Sequence, residues 1–191
     1  RIVLGQALRR QRKFEEAEAV LRQALLARRR LLGADHLDTL ESMQQLGRVL
    51  MDLERYLEAE NLLRGCLRER TRLLGETHPD TMRALVSVAV LLAREEKHGE
   101  AVALFAGALA VHRAELGPEH PRTLNVTLNL AIQYAFQKRF REAEAILRPN
   151  LEVQRRVLGP AHPDTVEGMR ALANCLDGLG RHGEADEVVR R

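Results

Sequence analysis

Four histidines recur at a fixed interval of 42 residues, His36, His78, His120 and His162, and imidazoles in register are side chains that could bind a metal or move protons. Each closes the same phrase: Leu32-Gly33-Ala34-Asp35-His36, Leu74-Gly75-Glu76-Thr77-His78, Leu116-Gly117-Pro118-Glu119-His120 and Leu158-Gly159-Pro160-Ala161-His162. A shared zinc ion lies about 2.0–2.1 Å from each ligand nitrogen, so two imidazoles must approach within about 4 Å. Units repeating at this period are held roughly 8–10 Å apart by helix packing. The histidines therefore read as turn residues, and no metal site is expected. A glutamate recurs at the same interval (Glu16, Glu58, Glu100, Glu142, Glu184), which marks a structural position, since an active site occurs once. Cys66 and Cys175 lie 109 residues apart without metal or redox spacing and read as small buried residues. There is no glycine-rich phosphate loop, nucleophile elbow or His-Glu-x-x-His motif. Neither catalytic residues nor a cofactor are expected.

Composition narrows the class further. The 191 residues carry 30 basic and 27 acidic side chains, a net charge of +3, interspersed along the chain. Nucleic-acid binding would call for a basic stripe with aromatic stacking residues, and aromatics make up only 3% with no Trp. The run Arg28-Arg29-Arg30 falls at the end of an expected helix, where cations favour the exposed carbonyls; a patch for an acidic partner is the other reading. No apolar run of about 18 residues is present and no signal-peptide pattern opens the chain. A cytoplasmic protein without membrane contact is expected, and two cysteines fit a reducing compartment. The chain opens at Arg1 inside a repeat and closes partway through a helix, and so reads as a piece of a longer protein.

The elements that carry these residues follow from the same period. A fixed repeat of this length is left by stacked supersecondary units that bury their apolar faces against one another. The expected units span 1–33 (partial), 34–75, 76–117, 118–159 and 160–191 (truncated). A first helix should begin after each His: Pro79 suits the first helical position and Asp80 the first turn. Apolar residues then follow at helical spacing, such as Met43, Leu46 and Leu50. A short polar break ends in a basic residue followed by an aromatic or His: Lys13-Phe14, Arg55-Tyr56, Lys97-His98, Arg139-Phe140, Arg181-His182. The second helix carries Ala17, Ala59, Ala101, Ala143 and Ala185, each followed four residues later by a larger apolar side chain: Leu21, Leu63, Phe105, Leu147 and Val189. Gly5, Gly47, Ala89, Ala131 and Ala173 are the small residues of the first helix, and such pairs allow close crossing. The Leu-Gly pair should end the second helix, with Gly in a left-handed cap.

These small and large positions, with the aromatic opening the second helix, resemble the tetratricopeptide repeat. The 42-residue period and the phrase Leu-Gly-x-x-His-Pro-Asp-Thr (Leu74 to Thr81, Leu158 to Thr165) resemble its kinesin-light-chain type. The resemblance spans the whole chain. It implies an all-α fold, a right-handed superhelical solenoid of antiparallel helix pairs with about ten helices, and a role in protein–protein interaction.

In such arrays the concave side is lined by first-helix residues flanking the small packing position. Carried over by spacing, this implies an apolar strip of Val86, Val90, Leu128 and Ile132, with Gln44, Arg48, Arg83, Arg94, Asn125, Asn129, Arg170 and Asn174 around it. The set suits a protein or peptide segment with hydrophobic anchors and acidic flanks. A second reading stays open, in which the apolar members pack against neighbouring helices. Of the Asn that often precedes the packing Leu in kinesin-light-chain-like arrays, Asn129 is the match; Gln45, Ser87 and Ala171 depart from it. The alternatives to peptide capture are end-to-end self-association as an assembly or spacer element, and service as the regulatory arm of a multidomain signalling enzyme such as a protein kinase.

Overall fold

The computed structural model describes residues 1–190, and over them the chain forms ten α-helices and no strand. They are α1 (Ile2–Arg10), α2 (Phe14–Leu32), α3 (Leu37–Asp52), α4 (Tyr56–Leu74), α5 (Pro79–Arg94), α6 (His98–Leu116), α7 (Pro121–Phe136), α8 (Phe140–Val157), α9 (Pro163–Gly178) and α10 (His182–Arg190). Odd-numbered helices are the first of each repeat and even-numbered ones the second. Two compact units result, Arg1–Glu95 with α1 to α5 and Glu96–Arg191 with α6 to α10, and within each every helix packs on the next.

Each second helix begins at the residue after the basic one, at Phe14, Tyr56, His98, Phe140 and His182. The crossing is as close as the small residues require. A Cβ on Gly5 would lie 2.6 Å from Leu21 Cγ, and one on Gly47 2.7 Å from Leu63 Cγ. In the second unit Ala131, Ala143, Leu147, Leu172 and Cys175 share one buried cluster. Val189 departs from the pattern. It is 60% exposed, and Val188, one residue earlier, is the side chain that packs on this cluster. Both cysteines are buried; Cys66 donates to the Leu40 carbonyl at 3.3 Å. Burial pushes both thiols up to about 11. Pro149 lies inside α8 on the exposed side, where its missing N–H and ring cost least.

The repeated histidines are N-caps. Nδ1 of His36, His78, His120 and His162 accepts the backbone N–H of Asp38, Asp80, Arg122 and Asp164 at 3.1–3.2 Å. This satisfies one of the donors that every helix start leaves unpaired. The threonine three residues after the His completes the corner in two repeats: the hydroxyls of Thr39 and Thr123 donate to the carbonyls of Gly33 and Gly117, both at 2.8 Å.

The left-handed cap lies elsewhere than expected. Gly33, Gly75, Gly117 and Gly159 have φ of 98°, 89°, 87° and 92°, and the first three have ψ of 163–167°. That is an extended, positive-φ conformation essentially confined to glycine. The left-handed residue instead sits between the two helices of each repeat, at Arg12, Glu54, Glu96, Lys138 and Gly180, with φ of 58–76°. At Glu54 the flanking bonds run from Glu54 N–H to the Met51 carbonyl and from Arg55 N–H to the Leu50 carbonyl. The same pair of bonds surrounds Arg12, Lys138 and Gly180, which is the Schellman ending of a helix.

A further column of the second helices, Arg28, Arg70, His112 and Gln154, reaches toward the start of the following helix. Arg28 donates to the Asp38 carbonyl at 2.7 Å and Arg70 to the Asp80 carbonyl at 3.0 Å. His112 is 5% exposed, its ring lies beside the Arg122 backbone, and its Nδ1 has no partner among the described residues. Burial lowers its pKa from the ordinary 6.5, and the charges of Arg122 and His120 act in the same direction.

Three outcomes follow for stability. Gly75→Ala should cost about 1–3 kcal/mol, because alanine is strained at that φ and ψ. Glu54→Gly should be neutral to stabilising by up to about 1 kcal/mol, since relief of the left-handed strain outweighs added chain entropy; urea unfolding followed by circular dichroism measures both, and equal signs would refute the assignment. For His112 the unfolded state takes up a proton before the folded state as pH falls, so the group removes nothing well above pH 6.5 and destabilises progressively below it. His112→Gln should flatten the thermal-stability profile between pH 7 and pH 5, relative to wild type, by about the shift between folded and unfolded pKa.

Candidate functional site

The first-helix faces hold two sites built on the same backbone positions, one in each unit. In the Glu96–Arg191 unit, α7 and α9 leave an open groove of about 700 Å³ between them. Ile132, Ala135 and Phe136 of α7, Phe140 at the start of α8, and Pro163 and Val166 of α9 form its apolar lining; Glu167, Arg170 and Asn174 stand along α9. Phe136 is 63% exposed. Its ring stacks on His98 with centroids 4.9 Å apart and planes 2° from parallel, and His98 Nδ1 lies 2.9 Å from Gln133 Oε1. This sandwich keeps a large aromatic face in place at the rim. Phe140 closes the wall because Gly178 has no side chain: a Cβ there would come 2.6 Å from the ring. Burial first, and then the neighbouring charge of Asp164, raises the carboxyl of Glu167 above its ordinary pKa, while Arg170 opposes the shift. Asp164 is itself held by Asn125, whose amide donates to it at 3.0 Å.

In the Arg1–Glu95 unit the corresponding face is charged. Asp52, largely buried, accepts from Arg9 and from Arg94, the latter at 3.3 Å. Glu41 accepts from Gln45 at 2.7 Å and from Arg70 at 2.8 Å, with Arg83 at 3.6 Å. Burial works to raise the pKa of Glu41, but the bonds from Gln45 and Arg70 and the charge of Arg83 outweigh it and hold it low. Arg83 also pairs with Asp80 at 2.8 Å. Arg70 is 1% exposed and bonds Gln44 as well as Glu41 and the Asp80 carbonyl. Arg48 sits half-buried between the Asp52 and Glu41 groups; burial, followed by the like charge of Arg9, lowers its pKa.

The residues expected from sequence divide accordingly. Ile132, Arg170 and Asn174 line the groove, and Arg48, Arg83 and Arg94 belong to the charged face. Val86 and Val90 are half-buried in the first unit. Asn129 donates to the Asn125 carbonyl and to Asn125 Oδ1 at 2.9 and 3.1 Å, so these two are tied to each other. Two members do not line a surface. Leu128 is 1% exposed and belongs to the core of the second unit. Gln44 is 3% exposed, with its amide donating to the Arg83 carbonyl and Ser87 Oγ, both at 2.9 Å. Both positions face across to a neighbouring helix, which takes them out of solvent. Sequence reasoning missed Phe136, Phe140, Pro163, Val166 and Glu167. For Phe136 a signal existed: its column reads Asp52, Arg94, Phe136, Gly178, and a large apolar residue replacing charged ones at an exposed position marks a changed surface.

Among the described residues, no three or more His, Cys, Asp or Glu side chains cluster as metal ligands, and no helix is long and apolar enough to cross a membrane. The tetratricopeptide repeat pattern matches residues 2–64, 43–106, 80–148 and 123–191. No curated protein sequence matches the chain. Several solved structures do. The kinesin light chain TPR-like repeats of Podosopora anserina share 24% identity at TM-score 0.80, covering 99% of this chain and 90% of that one. BtubC from P. vanneervenii shares 19% at 0.81, covering 99% and 75%, and apo RapI shares 17% at 0.80, covering 99% and 66%. At these identities the likeness is one of fold.

Proposed function

This chain belongs to the tetratricopeptide repeat family, whose fold serves generally as a protein–protein interaction scaffold, and we propose that it captures a peptide segment of a partner on its first-helix faces. The observation that carries this reading is the α7/α9 groove, an apolar cleft of about 700 Å³ with an exposed, stacked phenylalanine at its rim. Phe136 keeps most of its surface in water although His98 fixes it in place. Covering it with an apolar anchor gains the transfer energy of that surface, about 1.5–3 kcal/mol for one large side chain, without the entropy cost of ordering a loose ring. Arg170 and Asn174, both exposed beside the cleft, supply directional donors for the peptide backbone or an acidic flank. The half-buried Glu167 discourages a second carboxylate at its own end, which gives the bound segment a polarity.

Selection from a library of random short peptides displayed on phage should enrich sequences with one bulky apolar residue. Phe136→Asp should weaken the enriched peptides at least about tenfold, as loss of a single anchor contact does, with helicity unchanged because the side chain is exposed. Arg156→Gln, at an exposed α8 residue that pairs with Glu119 and is not among those lining the cleft, should leave binding as it is. Equal binding by the Phe136→Asp variant would overturn this assignment.

A further inference from the structure

We infer that the first-helix face of the Arg1–Glu95 unit binds a dianionic phosphoryl group, presented by a phosphorylated segment of a peptide partner. The site occupies the backbone positions that form the apolar groove in the other unit, two 42-residue repeats earlier: Arg48 stands where Ile132 stands, Asp52 where Phe136 stands, and Arg83 where Glu167 stands. One architecture thus carries an apolar cleft in one half and a cationic one in the other.

Charge within the cluster does not balance. Five guanidinium groups, those of Arg9, Arg48, Arg70, Arg83 and Arg94, face three carboxylates, those of Glu41, Asp52 and Asp80. Each carboxylate is already occupied: Asp52 by Arg9 and Arg94, Glu41 by Arg70 and Gln45, Asp80 by Arg83. Arg48 lies between these pairs, with the charges of Asp52 and Glu41 favouring it and those of Arg9 and Arg83 opposing it, and among the described residues no hydrogen bond or ion pair engages its guanidinium directly. A half-buried cation that shares its neighbouring carboxylates with other cations, and bonds neither of them directly, gains from a ligand that supplies a counter-charge of its own. The surplus of two positive charges matches a phosphate monoester, which carries about −1.5 to −2 at neutral pH. The planar donors of arginine suit its oxygens. The fixed pairs around Arg48 hold neighbouring guanidinium groups in place, so a ligand entering there finds its donors already oriented.

That a peptide carries the group rests on the reading given under Proposed function; the phosphoryl site itself does not. The test uses the whole chain at constant ionic strength, with calorimetry and the shifts of arginine Nε–H signals as readouts. Its probes are inorganic phosphate, a short peptide with one phosphoserine, its unphosphorylated twin, and hexaglutamate. Inorganic phosphate should shift the Arg48 signal, and the phosphopeptide should bind at least about tenfold more tightly than its twin, the worth of one charge-assisted contact. Arg48→Gln should abolish both effects while leaving the melting temperature equal or higher, because Arg48 makes no direct ion pair and its burial and the like charge of Arg9 outweigh the attraction of Asp52 and Glu41. Arg156→Gln should change neither. Phe136→Asp should leave phosphate binding intact, so failure of the apolar anchor and failure of this site are separately visible. Absence of phosphate binding, or binding insensitive to Arg48→Gln, would overturn the site. Preference for hexaglutamate over phosphate would overturn the phosphoryl assignment, and phosphate binding without discrimination between the twin peptides would overturn the peptide carrier.

Discussion

Contact between the small residue of each first helix and the large apolar residue of its partner sets the geometry on which everything else rests. Gly5 against Leu21 and Gly47 against Leu63 leave no room for even a methyl group without displacement. Helices that approach this closely lock their rotation, because ridges and grooves can mesh in few ways. Rotation in turn decides which first-helix positions face inward and which face away. The buried Leu128 and Gln44 and the accessible Arg48, Ile132 and Asn174 are consequences of that one contact, repeated along each unit.

A repeated backbone then allows chemistry to vary column by column. The position held by Arg48 in α3 is Val90 in α5, Ile132 in α7 and Asn174 in α9. In the first unit such positions build a guanidinium cluster around Asp52 and Glu41; in the second they build an apolar cleft capped by Phe136 and Phe140. Neither site requires a departure from the repeat's geometry. Gly178 is the one accommodation, since only a missing side chain lets Phe140 close the wall.

The turns show how local rules hold a periodic fold in register. Histidine caps every first helix after α1, and its Nδ1 is spent on a backbone N–H, so its recurrence reports a corner and has no need of a metal to account for it. Glycine ends the second helix in three repeats because the chain there adopts a conformation closed to side chains. The other turn tolerates Arg12, Glu54, Glu96 and Lys138 at positive φ, a cost that the tightly packed helices on either side can impose. This explains why that corner was invisible in the residues: in four of five copies no glycine marks it.

The order, number and starting points of the helices were legible in the amino-acid sequence, down to Phe14, Tyr56 and Phe140 at the heads of second helices. Periodicity and capping chemistry act within a few residues of chain, and a repeat states them several times over. The site was legible only in part. Spacing identified Arg48, Ile132 and Asn174 as accessible but could not separate them from Leu128, because residues four apart on one helix share a face. Which of them meets water depends on the neighbouring helix. Likewise Glu41, Asp52 and Arg70 come from separate helices, and their pairing, with the unpaired Arg48 it leaves behind, exists only once those helices have packed. Local order is therefore written in the chain itself, whereas exposure and charge balance are properties of surfaces brought together from distant segments, and tertiary structure alone decided them.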